Sequence, residues 1–313
     1  MTVIRSPAEF NSGDLYVDLH DSMGVPLFLK CEGFNFARSI KLKAATEMVE
    51  GAERRGVLRP GMTIVESSSG NLGVALSMLA ASRGYRFVCV TDARCTLSSR
   101  RMMQALGAEV HVITEPKADG GFLAARIDHV QELCAADPGV VWLNQYGNPD
   151  NSGAHYRTTG PEILAAFPGV EVVFIGAGTT GTLMGCARYL RDRRQNAWVV
   201  AVDVVGSVNF GGPAGVRMIP GLGTGMRPEQ LDESVVDDVV IVDERETVAT
   251  CRELAAHGFV FGGSTGTVVA GARRWLARNR PGGDVTAVAI APDLGESYLD
   301  SVYNDDWVRK LPG

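Results

Sequence analysis

Two closely spaced lysines, Lys41 and Lys43, are the first candidates for chemistry in this chain. They follow Ser39, a good N-cap residue, in a predicted helix that ends before Gly56. A helix N-terminus is partly positive, so it disfavours cations. A lysine there can be neutral if its amine is held as an imine, and burial would depress its pKa toward that use. The alternative is that both lysines point into solvent.

Three turns rich in glycine, serine and threonine each connect an apolar run to a predicted helix. They span residues 67–73 (SSSGNLG), 176–182 (GAGTTGT) and 261–267 (FGGSTGT). The first N–H groups of a helix have no partner within it, and the helix dipole is positive there, so such turns bind anions. The second turn adds three hydroxyl groups, which suits a terminal phosphate.

In this order, the segments resemble the cysteine synthase family of enzymes, which use pyridoxal 5′-phosphate (PLP). The resemblance covers nearly the whole chain and includes residues 144–151 (NQYGNPDN), 155–163 (HYRTTGPEI), 219–225 (IPGLGTG) and 292–298 (PDLGESY). An alternative is that residues 176–182 form a dinucleotide loop, with Asp203 as the acid that binds a ribose. The threonines crowding Gly181 disfavour it.

The resemblance implies a role for each candidate site residue. It implies that Lys41 holds PLP as a Schiff base and later acts as general base, that Asn71 bonds the ring hydroxyl, and that Ser264 faces the pyridine nitrogen. The residues implied to bind the phosphate are Gly178, Thr179, Thr180, Gly181 and Thr182. The residues implied to bind the substrate are Ser68, Ser69, Asn71, Gln145 and Tyr146. For Ser264 and Asn71 helix capping is the alternative, and for Tyr146 a place in the core.

Departures from common cysteine synthases narrow the function. Leu42 and Lys43 stand where those enzymes have Asp-Arg, and residues 39–43 (SIKLK), 178–182 (GTTGT) and 202–207 (VDVVGS) resemble another branch, the N-(2-amino-2-carboxyethyl)-L-glutamate synthases. That branch implies β-replacement on O-phospho-L-serine through an α-aminoacrylate, with the amine of L-glutamate as nucleophile. Its product supplies 2,3-diaminopropionate for siderophores or antibiotics.

A phosphate leaving group and a dicarboxylate nucleophile both require cations near the cleft. Arg126 and Arg217 are the candidates, with ordinary surface arginines as the alternative. Two other functions stay open. One is a cysteine synthase that uses sulfide with O-acetylserine or O-phosphoserine, and the other is a non-catalytic homologue that binds or regulates.

Composition excludes several classes of protein. The net charge of −6 comes without a basic block, so we expect no nucleic-acid partner. No stretch approaches the roughly 18 apolar residues of a membrane span, and the N-terminus lacks the apolar run of a signal peptide. The six cysteines are scattered, without metal-ligand spacing, so we expect no metal and a reducing cytoplasm.

Eight apolar, β-branched runs predict the strands that position these residues, and helical patterns separate most of the runs. Continuous hydrophobicity predicts parallel strands buried on both faces, hence an α/β fold. We expect two doubly wound domains of the tryptophan synthase β-like type (fold type II), with PLP in the cleft between them. Residues 38–152 are expected to form a smaller mobile domain. Residues 1–37, including a hairpin, and 153–313 form the larger cofactor-binding domain, and the resemblance implies a homodimer.

Overall fold

The computed structural model describes residues 3–117 and 121–311, and the elements below lie within them. The strands are β1 (Tyr16–Asp18), β2 (Phe28–Cys31), β3 (Thr63–Ser67), β4 (Arg86–Asp92), β5 (Glu109–Ile113), β6 (Val140–Trp142), β7 (Val172–Gly176), β8 (Trp198–Val204), β9 (Asp238–Val242) and β10 (Ala287–Ala291). The helices are α1 (His20–Met23), α2 (Lys41–Arg54), α3 (Asn71–Arg83), α4 (Leu97–Ala105), α5 (Gly121–Ala136), α6 (Pro149–Arg157), α7 (Thr159–Ala166), α8 (Gly181–Asp192), α9 (Glu244–Ala256), α10 (Gly263–Asn279) and α11 (Asp305–Val308).

The smaller sheet has four parallel strands in the order β5-β4-β3-β6. Both of its faces are covered, as its continuous hydrophobic runs predict. One face packs against α2 and α3 through residues such as Met48, Leu76 and Phe87. The other packs against α5, where Val130 meets Val65. Because the strands are parallel and in register, the loops that follow them lie at the same edge of the sheet.

The larger sheet has six strands in the order β1-β2-β10-β7-β8-β9. The predicted hairpin is present, since β1 and β2 pair antiparallel around α1, and the remaining pairs are parallel. Helices α9 and α10 cover one face, and α7 and α8 the other. The α/β fold with mostly parallel sheets is confirmed, and the division at residues 38–152 stays a prediction. None of the helices in the described part of the chain combines the length and apolar composition of a membrane span.

Helix α2 begins differently from the prediction. Its N-cap is Ile40 rather than Ser39, and the buried hydroxyl of Ser39 has no hydrogen-bond partner. Distant backbone explains the change: Ser39 pairs with Asp293 in an isolated bridge, and the N–H of Ile40 donates to the carbonyl of Pro292 at 2.7 Å. This pairing holds Lys41, the first helical residue, beside the carboxyl end of β10.

Lys43 does not point into solvent. Its side chain is buried, and its Nζ lies 2.9 Å from a carboxylate oxygen of Glu32 and 2.6 Å from one of Glu162. The Nζ of Lys30 contacts the same two carboxylates at 3.3 and 2.8 Å. These four residues, hereafter the buried ion cluster, join β2, α2 and α7 with balanced charges.

Gly185 lets α8 approach α6 closely, and this approach generates a stability prediction. A Cβ at this position would lie 2.3 Å from the carbonyl oxygen of Ser152 and 2.8 Å from the N–H nitrogen of Tyr156, which are backbone atoms that cannot rotate away. Gly185→Ala should therefore lower the free energy of unfolding by about 1–3 kcal/mol in urea denaturation. Gly169→Ala is the control, because a Cβ there meets nothing within 4 Å. Equal losses in the two variants would contradict the packing argument.

Candidate active site

A cavity lies between the two sheets, at the carboxyl ends of their parallel strands. Ser68 follows β3, Gln145 follows β6 and Gly178 follows β7, so three separate connections deliver polar groups to one place. The predicted site residues that line the cavity are Lys41, Ser68, Ser69, Asn71, Arg126, Gln145, Tyr146, Gly178, Thr179, Thr180, Gly181, Thr182, Arg217 and Ser264. The structure therefore brings every one of them together, and their individual roles stay predictions.

Four helices begin at this cavity with an N-cap residue that makes no side-chain hydrogen bond to its own helix: α2, α3, α8 and α10. Their N-cap residues are Ile40, Gly70, Thr180 and Gly262. Side chains cap α6 and α9, and also α4, whose N-cap Thr96 lines the same cavity. In α3 the N–H of Gly73 donates instead to Oγ of Ser68. At the start of α8 an anion can supply the acceptor that the N-cap side chain does not.

The turn before α8 fits a phosphate group. Thr180 has a left-handed backbone (φ 65°), and its buried hydroxyl oxygen has no hydrogen-bond partner. Glycine is required beside it: a Cβ on Gly178 would lie 2.7 Å from the carbonyl oxygen of Gly221, and one on Gly181 would lie 2.2 Å from Oδ1 of Asn151. The turn thus packs tightly against its surroundings and leaves its hydroxyl and N–H groups available to a ligand.

Lys41 has the electrostatics of a nucleophilic amine. Burial lowers its pKa to about 8, and the negative charge of Asp293 partly opposes this shift. Asp293 is itself buried, with a pKa raised by burial to about 6. One of its carboxylate oxygens accepts hydrogen bonds from Nδ2 of Asn71 at 2.9 Å and from the hydroxyl of Tyr298 at 2.6 Å.

Sequence reasoning assigned no role to Asp293 or Tyr298. Both lie in residues 292–298, the motif that contributed to the resemblance, and that motif follows β10 directly. Their position after a strand of the predicted parallel sheet was the available signal.

The loop between β3 and α3 is held from within. The Oγ of Ser68 accepts hydrogen bonds from the N–H groups of Gly70 and Gly73, at 3.2 and 2.9 Å. Ser69 and Tyr146 stand partly exposed at the cavity wall. The loop therefore presents Ser69 to a ligand, while Ser68 fixes the shape of the loop that does so.

A carboxylate missed in the sequence, Glu66, supports the same end of the cavity. It is fully buried and accepts hydrogen bonds from the N–H groups of Ser67 at 2.8 Å and Gln145 at 3.2 Å, and from Nε1 of Trp142 at 3.0 Å. Burial raises its pKa to about 7. Gln145 also donates from Nε2 to the carbonyl of Ser67 at 2.7 Å, so Glu66 and Gln145 lock the two loops together.

Three arginines line the cavity: Arg94, Arg126 and Arg217. The alternative of a surface arginine is wrong for Arg126, which is only 4% exposed and whose Nε and Nη1 make no hydrogen bond. Asp92 lies 3.4 Å from the Nε of Arg126 and is held in a bidentate contact by Arg94. Burial opposes ionisation of Asp92, but the hydrogen bond from Arg94 and the charges of both arginines lower its pKa.

Arg217 approaches from the other side of the cavity, on the loop between β8 and β9. Burial and the nearby charge of Arg94 lower its pKa, and the charges of Asp203 and Glu244 partly oppose this shift. Sequence reasoning missed Arg94. Asp203, the candidate ribose-binding acid, is fully buried and accepts a hydrogen bond from the N–H of Val204 at 2.9 Å. It does not line the cavity, which removes the support for a dinucleotide site.

Comparisons with known proteins agree with this geometry. Residues 16–293 match the family described as pyridoxal-phosphate dependent enzymes. The N-(2-amino-2-carboxyethyl)-L-glutamate synthase of Ralstonia nicotianae is 40% identical over 296 residues, which cover 94% of this chain and 87% of that protein. The crystal structure of an O-ureido-L-serine synthase has a TM-score of 0.87 at 35% identity, covering 99% of this chain and 100% of the other. A hydrogen sulfide-producing enzyme of Fusobacterium nucleatum has a TM-score of 0.88 at 28% identity, covering 95% and 100%.

The lowered pKa of Lys41 can be tested by labelling the apoprotein with PLP and trapping the product with borohydride. Only the neutral amine attacks the aldehyde, so labelling should rise with pH around a midpoint near 8. Asp293→Asn should move the midpoint to lower pH, because the carboxylate charge raises the pKa of Lys41. Mass spectrometry should place the label on Lys41 and find none in Lys41→Ala. A label on Lys43, or a midpoint at the ordinary lysine value, would contradict the assignment.

The hydroxyl of Thr182 is expected to donate to the phosphate of the cofactor. Thr182→Val should therefore weaken PLP binding by about ten- to a hundredfold, since a charge-assisted hydrogen bond contributes roughly 1.5–3 kcal/mol. Thr182→Ser keeps the hydroxyl and should bind PLP nearly as well as the unaltered protein. Equilibrium dialysis of the three apoproteins measures the difference, and equal affinities for Val and Ser would remove the hydroxyl from the site.

Proposed function

Because this chain belongs to the family of pyridoxal-phosphate-dependent enzymes, we propose that it catalyses β-replacement on an O-activated L-serine. The proposed substrate is O-phospho-L-serine, and the nucleophile is the amine of L-glutamate. The products are N-(2-amino-2-carboxyethyl)-L-glutamate, a precursor for 2,3-diaminopropionate, and phosphate. The names of the Ralstonia relative and of the O-ureido-L-serine synthase support a reaction of this class.

PLP, when bound, withdraws electrons from the α-carbon of the substrate and so lets its proton leave. The chain's own residues supply the rest. Lys41 would hold the cofactor, and its amine, with a pKa near 8 in the apoprotein, would be the base that takes the α-proton of the substrate. Asn71 and Ser264, which line the cavity, would contact the ring, and residues 178–182 would bind the phosphate at the N-terminus of α8.

The observation that carries the choice of substrate is Arg126. It is a buried cation at the cavity wall whose Nε and Nη1 have no hydrogen-bond partner, and Asp92 is shared with Arg94. A buried guanidinium with unmet donors is costly unless an anion completes it. The phosphate of O-phospho-L-serine would supply a second anion for this guanidinium beside Asp92. Arg217 remains to meet a carboxylate of glutamate, because Arg94 is engaged by Asp92 in a bidentate contact.

A cysteine synthase that uses sulfide is the second candidate. The structural likeness to a hydrogen sulfide-producing enzyme associates the fold with sulfur chemistry, although that name describes release of sulfide and not its use. Sulfide carries no carboxylate, however, so as nucleophile it gives Arg217 at the cavity wall no anionic group to bind. A non-catalytic homologue is disfavoured, because family membership and a named synthase relative both support an enzyme.

The setting of the protein is also part of this proposal. We propose a homodimer that acts on small amino-acid substrates in a reducing cytoplasm, with neither a membrane nor a nucleic-acid partner. The net charge of −6 supports the absence of a nucleic-acid partner, and the six free cysteines, five of them buried, support a reducing compartment. We further propose that residues 38–152 move as the smaller domain and close on the substrate, which would exclude water from the reaction.

Product analysis tests the reaction. The holoenzyme is incubated with O-phospho-L-serine and equal concentrations of L-glutamate and sulfide, and mass spectrometry should find the glutamate adduct as the main product. Arg126→Gln should lower kcat/KM for O-phospho-L-serine about ten- to a hundredfold more than for O-acetyl-L-serine, since one buried charge-assisted contact is lost.

Arg101→Gln is the matched control, because Arg101 is exposed and does not line the cavity. It should leave both specificity constants unchanged. Efficient formation of cysteine without the glutamate adduct would overturn the proposed nucleophile and promote the cysteine synthase. Equal losses with the two serine esters would overturn the role of Arg126 with the phosphate.

A further inference from the structure

A chain of hydrogen-bond contacts connects the phosphate turn to the buried ion cluster. The Oγ1 of Thr182 lies 3.2 Å from Nε2 of His155, whose Nδ1 lies 3.0 Å from Oγ1 of Thr159. The Nζ of Lys43 contacts the same hydroxyl of Thr159 at 3.4 Å. His155 and Thr159 are at most 1% exposed, so water does not compete for these contacts.

His155 is neutral in this setting. Burial lowers its pKa well below the usual range, and the charges of Lys43 and Lys41 act in the same direction. A neutral imidazole has one N–H donor and one acceptor nitrogen, and its neighbours decide which nitrogen carries the hydrogen. The direction of the whole chain therefore depends on the group at its inner end.

That group is Lys43, and an ammonium group can only donate. The hydroxyl oxygen of Thr159 must accept from it, so the hydroxyl hydrogen of Thr159 has to go elsewhere. Among the contacts of the described residues, Nδ1 of His155 is the acceptor that Thr159 can reach. The opposite direction would leave a buried hydroxyl hydrogen without an acceptor, which is unfavourable.

We propose that Lys43 and His155 are positioning residues for the phosphate of the cofactor. Lys43 donates to Thr159, Thr159 donates to Nδ1 of His155, and Nε2–H of His155 donates to Oγ1 of Thr182. The hydroxyl hydrogen of Thr182 is then free to point at the phosphate. This inference rests on the proposed contact between Thr182 and the phosphate, and it does not depend on which nucleophile the enzyme uses.

The positive and negative charges of the buried ion cluster balance one another. Lys43 and Lys30 are balanced by Glu32 and Glu162 at distances between 2.6 and 3.3 Å. The cluster therefore holds the Lys43 donor in place without adding a net charge. The neutral His155 then fixes the direction of the hydrogen bond to Thr182 without bringing a charge near the phosphate turn.

The tautomer of His155 is the direct test, and it needs no altered protein. Nitrogen-15 NMR of the histidine-labelled apoprotein near neutral pH should show His155 with its hydrogen on Nε2. The spectrum of His155→Gln identifies the resonance, and addition of PLP should leave the tautomer unchanged. A hydrogen on Nδ1, or a doubly protonated ring, would overturn the proposal.

Cofactor affinity supplies the second test. A glutamine can place an amide N–H near the position of Nε2, whereas leucine cannot donate. His155→Leu should weaken PLP binding on the order of tenfold, the effect of one hydrogen bond, and His155→Gln should restore most of the loss. In a Thr182→Val background His155→Leu should cause little further loss, because both changes remove the same contact.

Controls separate this inference from a general effect on folding. His257→Leu alters an exposed histidine and should leave PLP affinity unchanged. Thermal melting of each apoprotein reports the loss of packing, and the His155→Gln comparison is made at matched stability. Equal weakening by Gln and Leu, additive losses in the double variant, or an unaffected Thr182→Val would each overturn the proposal. Failure of the glutamate reaction alone would leave these binding results standing and would count only against the proposed function.

Discussion

Backbone N–H groups at the start of a helix need an acceptor, and four helices of this protein begin at one cavity with N-cap residues whose side chains supply none. Much of the surrounding structure serves that arrangement. Parallel strands place the turns at one edge of each sheet, and glycine at Gly178 and Gly181 allows contacts that no other residue permits. The polypeptide thus leaves an unmet requirement at its centre, and an anionic cofactor satisfies it.

The charged side chains of the site are arranged around this requirement. Burial lowers the pKa of Lys41, so its amine loses its proton more easily. The buried carboxylates of Asp293 and Glu66 accept hydrogen bonds that hold neighbouring donors in place. Arg126 and Arg217 instead face the cavity. The arginines that can bind a substrate are therefore different residues from the carboxylates that hold Asn71, Tyr298 and Gln145 in place. A change at the arginines would leave these carboxylate contacts intact.

Local sequence patterns predicted the parallel strands and the turns before the helices, and the family resemblance supplied most residues of the cavity wall. Apolar runs marked the strands, and Gly/Ser/Thr turns marked the places where helices begin. What escaped prediction depends on pairs far apart in the chain. The start of α2 is set by the pairing of Ser39 with Asp293, and Lys43 is buried by Glu162, which lies 119 residues away. No periodicity within a helix or strand records such partners, so Asp293 and Glu66 were missed as well.

The buried ion cluster has a consequence for how this sequence can change. Removing any one of Lys30, Glu32, Lys43 or Glu162 would leave a buried charge without its partner, at a cost of about 3–5 kcal/mol. Replacing all four by apolar residues of similar volume would avoid that cost, but no single substitution leads there. Sequences descended from this one are therefore confined to exchanges that keep the charge at each position, such as arginine for Lys43. The cluster would therefore persist over time, because each single substitution that removes one of its charges is unfavourable.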